Sequence, residues 1–140
     1  MHRFHNKNNP VSDFYLDDEN CIQRLVLEYR THGSIVVGYD FDNTVYDFHK
    51  KGETYDRVVE LLRKAKELNC YMICTTANED DEVVLKYLAD NNIPCDALNQ
   101  NPPFFKSKST KIYCNILLDD RAGLSAAFKH LERTLNIITA

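Results

Sequence analysis

The feature that most constrains this chain is an apolar run, Ile35-Val36-Val37-Gly38-Tyr39, that turns acidic in one step, into Asp40-Phe41-Asp42-Asn43-Thr44. Such a run has almost no polar atom, which is the pattern of a strand covered on both faces within a parallel sheet. Asp40 and Asp42 stand two apart, so both side chains share a side while the backbone stays extended, and Asn43-Thr44 begins a turn. Open α/β sheets bind ligands beyond the carboxyl ends of their strands. Two carboxylates crowded there repel each other, and a cation or a shared proton relieves the conflict. The competing reading is an ordinary capped turn, because Asp and Asn are common strand-to-helix punctuation.

The remaining chain repeats the strand-to-polar pattern with helical stretches between. Acidic Asp18 and Glu19, an apolar face of Cys21, Ile22, Leu25, Val26 and Tyr29, and a stop at Gly33 predict a helix over about 18–32. Val58, Leu61, Leu62, Ala65 and Leu68 predict another over 55–69. Cys70 to Thr75 reads as a second buried strand, 79–91 as a helix, and 96–98 as a short strand. After the loop 99–109, where Pro102-Pro103 forbids regular structure, Ile116-Leu117-Leu118 forms a strand closed by Asp119-Asp120-Arg121. A helix over 123–133 and a last strand over 135–139 complete the chain. This alternation predicts one α/β domain, a three-layer doubly wound, Rossmann-like parallel sheet of about five strands with helices on both faces. Residues 1–17 are expected to be an N-terminal tail, and 18–140 the domain.

Composition narrows the partners. With 140 residues the chain suits one domain, and a net charge of −4 excludes a broad basic face for non-specific nucleic-acid binding. The amino terminus lacks the apolar core of a signal peptide and no run has membrane-spanning length, so a cytoplasmic protein without membrane contact is expected. The five cysteines are scattered and set among apolar neighbours, which predicts reduced, buried thiols. Cys70 and Cys74 have a spacing seen in zinc sites, but no matching Cys or His pair follows.

In a doubly wound sheet the polar strand ends gather on one edge: Asp40 and Asp42, Thr75 and Thr76, a lysine-bearing loop, then Asp119 and Asp120. The ordered set Asp-Phe-Asp-Asn-Thr, Ile-Cys-Thr-Thr, a lysine and Leu-Leu-Asp-Asp resembles the haloacid dehalogenase (HAD) superfamily of phosphotransferases over residues 34–139. The Asp-Asp-Arg ending is similar to the phosphatase domains of polynucleotide kinases and to small capless members, and Leu-Leu-Asp-Asp to deoxyribonucleotidases. The resemblance implies hydrolysis of a phosphomonoester, with a nucleotide or nucleic-acid end among the expected substrates. Asp40 would attack phosphorus and become an aspartyl phosphate, and Asp42 would act as acid and then base. Thr75, helped by Thr76, would hold a phosphoryl oxygen. A lysine would neutralise developing charge. Mg²⁺ would be held by Asp40, the main-chain carbonyl of Asp42, and the Asp119-Asp120 pair, since all-oxygen ligands favour Mg²⁺ over zinc.

Lys106, Lys108 and Lys111 all precede the last acidic pair, and Lys108 is preferred because its loop is free to return to the carboxyl edge. Two positions depart from the family pattern. Asn43 replaces a glycine, and Asn78 stands where some small members carry an arginine. The segments between motifs are too short for an inserted cap domain. Water exclusion then falls to Val45–Glu53, to the Phe104-Phe105 loop, to a second subunit in a homo-oligomer, or to the substrate. Lys50-Lys51 and the nearby aromatics offer stacking and phosphate contacts for a nucleic-acid ligand, although Phe104 and Phe105 read equally well as core residues under a loop. The alternative from another class is a non-hydrolytic phosphoacceptor or interaction module. A receiver domain of that kind places its acidic pair first and its phosphorylated aspartate on a later strand, an order this chain does not follow. A calcium loop at Asp40 would need a glutamate where Lys51 stands.

Overall fold

The structure, a computed structural model, describes residues 13–140. The expected tail therefore lies mostly outside the described residues. Its last part forms one 3₁₀ turn, Phe14–Leu16, that buries Phe14 and leaves Leu16 exposed. Eight further elements follow in order: α1 (Asp18–His32), β1 (Val36–Asp40), α2 (Asp56–Glu67), β2 (Tyr71–Thr75), α3 (Asp81–Asp90), β3 (Ala97–Leu98), β4 (Ile116–Leu118) and α4 (Leu124–Ile138).

Local chemistry sets most boundaries. The Asp17 carboxylate accepts from the Asn20 N–H at the start of α1, and Gly33, at a φ of 73°, closes it with its N–H on the Tyr29 carbonyl. That left-handed closing residue is a position where glycine carries no Cβ penalty. Asp80 caps α3 in the same way through the Val83 N–H.

All strand pairs are parallel and the order is β3-β2-β1-β4. The chain thus steps outward from β1 to β3 and then jumps back across to place β4 on the other side of β1. The reversal point lies between the carboxyl ends of β1 and β4, which is where doubly wound sheets open a ligand crevice. Val37, Tyr39, Met72, Cys74 and Leu118 on one sheet face join Leu62 and Ala65 of α2, Leu88 of α3 and Leu131 and Leu135 of α4 in the main core. Val36 and Ile73 are just as buried on the alternate face. There, Cys114 presses on Gly38: a Cβ at that glycine would lie 3.2 Å from its sulfur, so only a hydrogen fits without displacement.

The fold is the expected α/β one, with one strand fewer. Residues 135–139, expected to be a strand, continue α4 to Ile138. Leu131, Leu135 and Ile138 recur at helical spacing, with Leu131 and Leu135 fully buried. A short apolar run fits either period, and here it extends a helix face that packs on α1 and α2. The cysteines are all free, with Cys70 and Cys74 buried, and no described helix is long and apolar enough to cross a membrane.

Candidate active site

At the reversal point Asp40 ends β1, while Asp119 and Asp120 follow β4. Each offers a carboxylate oxygen, and the three oxygens lie within 4.8 Å of one another. Desolvation, then a hydrogen bond that the protonated Asp40 donates to Asp120 and the charges of Asp119 and Asp120, push Asp40 up to about 7. The cause is the fold itself: a buried strand delivers one carboxyl to an edge that its neighbour strand has already made acidic. Asp119 is oriented by the Arg121 N–H at 2.9 Å, and Asp120 by Thr44, whose fully buried hydroxyl oxygen accepts from the Asp120 N–H at 3.2 Å.

Asp42 stands outside the group of three, although burial and the charge of Asp120 raise its carboxyl too. The turn explains this separation. Asn43 adopts a φ of 60°, its N–H bonds the Tyr46 carbonyl at 2.8 Å, and the Phe41 carbonyl accepts from Val45 and Tyr46. Asp42 therefore leaves the strand line, and no described hydrogen bond ends on its carbonyl oxygen.

Thr75 is the register partner of Asp40 across the β1–β2 pair, so the two side chains project to the same face on adjacent strands. Its hydroxyl donates to the Tyr39 carbonyl at 3.4 Å. Thr76 is committed to structure: its N–H and carbonyl both bond the Asn99 side chain at 2.9 Å, and its hydroxyl accepts from the Asn78 N–H. Asn99 was not singled out by sequence reasoning, and an Asn just after a strand is its only signal.

Of the lysines, Lys108 is exposed and makes no described hydrogen bond or ion pair. Lys106 lines a cavity of about 630 Å³ at the amino edge of the sheet, with Ser34, Asn69, Tyr71 and Phe104. Lys111 is held differently. Its carbonyl accepts from the Asn101 side chain at 3.0 Å, two residues past the Asn99 that grips Thr76. Its charge also bears on Cys114, whose thiol is raised mainly by burial and lowered in part by Lys111. Cys114 packs on Gly38, two residues before Asp40 on the same face.

The two candidate covers separate. Phe104 packs edge-on against Tyr71, the first residue of β2, at 5.5 Å. That is about 13 Å from the Thr75 end at strand spacing, so this loop covers the opposite edge. Phe104 is 61% exposed and is not a core residue either. In the large cavity there, Ser34 and Asn69 are already engaged with backbone, Ser34 with the Asn69 carbonyl at 2.6 Å and the Asn69 side chain with the Gly33 carbonyl at 3.3 Å. Of the two segments, Val45–Glu53 is the one that begins at the acidic edge, where Tyr46 pairs with Asp42. Tyr46 stacks on Phe41 at 4.9 Å and 10°, and meets Tyr87 edge-on. Asp47 ties the segment through the N–H groups of Lys51 and Gly52; some desolvation opposes ionisation, but these bonds hold its carboxyl below the usual range.

The donor set suits a hard divalent cation. It consists of carboxylates with no thiol or imidazole, one of them raised by desolvation and then by its acidic neighbours, whose repulsion a cation would relieve.

No protein-family profile matches the chain, and no curated protein matches it. A solved structure described as a conserved protein coded by locus from Bacteroides thetaiotaomicron is similar, with a TM-score of 0.58 and 18% identity over 71% of this chain and 91% of that one. At that identity the likeness shows the fold, a Rossmann-like α/β sheet flanked by helices.

Proposed function

We propose that the chain is a phosphomonoesterase of the HAD type, using Mg²⁺ and an aspartyl-phosphate intermediate. The observation that carries the reading is the meeting of Asp40 with Asp119 and Asp120 at the reversal point of the sheet, with Thr75 beside Asp40 in register. Three like charges placed together are costly unless something uses them.

Mg²⁺ would be held by Asp40, Asp119, Asp120 and the main-chain carbonyl of Asp42, and would supply charge neutralisation at the phosphoryl group. The second Asp40 oxygen attacks phosphorus, and the ester oxygen leaves with a proton from Asp42, whose raised carboxyl suits an acid. Asp42 then takes a proton from the water that cleaves the acyl phosphate, restoring Asp40 and releasing inorganic phosphate. Thr75 donates its hydroxyl to a phosphoryl oxygen, a switch from its bond to Tyr39. Lys111, tethered through Asn101, takes the charge-neutralising place earlier expected for Lys108. Thr44 positions Asp120, and Tyr46 with Asp47 orders the segment that excludes water.

The test is a phosphate-release screen with Mg²⁺ over nucleotides, 3′- and 5′-phosphorylated oligonucleotides and sugar phosphates, with Asp40→Asn as the blank. Release by the wild type alone supports the reading. Equal release by both, or release from nothing, removes it.

A further inference from the structure

A second concavity, of about 540 Å³, borders the acidic cluster and shares Asp120 with it. Its walls come from the first turn of α2, which contributes Arg57, and from α4, which contributes Ser125, Phe128 and Lys129. The Arg57 guanidinium carbon lies 4.9 Å from the centre of the Phe128 ring. Stacking of that kind fixes the guanidinium plane and leaves its edge donors available.

Neither Arg57 nor Lys129 makes a described hydrogen bond or ion pair. Several other cations of the chain are engaged, Arg63 with Glu60, Arg133 with Glu19, Lys66 with Asp96 and Lys86 with Asp90. With 21 acidic residues against 17 basic ones, counter-charges are plentiful. The acidic groups around the concavity leave these two cations unpaired. Asp120 belongs to the cluster, Asp18 bonds His130 at 2.7 Å, and Asp56, Glu60 and Glu132 line the adjoining groove that Arg57 and Phe128 also border, with no described ion pair to Arg57. Helix α4 also opens here at Gly123 without a side-chain cap or an acidic residue in its first turn, which adds to the positive potential.

We infer that this concavity receives a second phosphate of the substrate, so that the substrate class is a phosphomonoester carrying a further phosphate one sugar away. The inference rests on the phosphatase reading for the reacting phosphate. Arg57 grips the second phosphate through paired N–H donors, and Lys129 supplies a point charge beside it. The source of that phosphate is either a nucleoside bisphosphate or the first diester of an oligonucleotide end.

Calorimetry on the non-turning-over Asp40→Asn protein in Mg²⁺ tests this with adenosine 3′,5′-bisphosphate, adenosine 3′- and 5′-monophosphates, and a 5′-phosphorylated dinucleotide. The bisphosphate or the dinucleotide is expected to bind about tenfold more tightly than the better monophosphate, the gain from two charge-assisted contacts at solvent-exposed side chains. Whichever of the two binds more tightly identifies the source. Adding R57Q and K129Q together should bring that ratio to about threefold or less, with circular dichroism confirming the fold. Equal binding by all four ligands, no measurable binding of any, or a ratio that survives the double substitution overturns the inference. The same ratio in wild-type kcat/KM is the second readout. Wild-type hydrolysis of monophosphates without a preference removes the second-phosphate site and leaves the phosphatase reading intact, whereas a wild type that releases phosphate from nothing removes the latter.

Discussion

Replacing Asp40 with Asn should stabilise the metal-free protein while abolishing turnover. Asp40 is raised from 3.8 to about 7, first by desolvation and then by its acidic neighbours. Between those values the folded chain holds a proton that the unfolded chain has released, so this contribution is complete below pH 3.8 and is lost as pH rises through about 7. The rise corresponds to an upper bound of about 4 kcal/mol, and partial exposure of the group reduces it to about 1–2 kcal/mol. Asn removes the charge, keeps the shape, and offers an N–H₂ group to Asp119 and Asp120. For a chain of this size the expected gain in Tm is roughly 3–8 °C in chelator at pH 8. The assay is thermal unfolding of both proteins at pH 5 and pH 8, with chelator and with Mg²⁺. At pH 5 the gap should shrink, because wild-type Asp40 is then mostly protonated. With Mg²⁺ at pH 8 the wild type should gain more than the variant. A variant that is less stable than wild type at pH 8, or a gap that does not change with pH, would refute the reasoning.

Two other substitutions probe the supporting residues. Thr44→Val removes the fully buried hydroxyl that accepts from the Asp120 N–H at 3.2 Å, so a loss of about 1 kcal/mol is expected in urea unfolding, with weaker Mg²⁺ binding by calorimetry; Thr44→Ser should restore both. Lys111→Ala should lower kcat/KM by about 100-fold, whereas Lys108→Ala should change it by less than about threefold. The reverse order would return the charge-neutralising role to Lys108.

The strand-to-acid transitions at Asp40 and Asp119 were readable because burial on two faces leaves a continuous apolar run, and polarity can resume only where the sheet ends. Helix α1 was readable from its acidic first turn and Gly33 stop. The stretch 135–139 misled because Leu135, Ile137 and Ile138 fit a strand as well as the last turns of a helix, and only packing on α1 and α2 decides between them. Phe104 misled for a related reason. A loop of this length carries no periodicity, and its path is set by pairwise contacts such as Phe104 on Tyr71 and Asn101 on Lys111. Arg57 and Lys129 left no signal at all, since they are far apart in the chain and meet only where α2 packs against α4.

The central claim is that Asp40 carries the phosphoryl group. Acid quenching during turnover, borohydride reduction and peptide mass spectrometry report where it resides, because reduction converts an aspartyl phosphate to homoserine. Homoserine at position 40, absent in Asp40→Asn and without substrate, is the predicted result. Phosphate release with no label at position 40, or with the label on another residue, would contradict it.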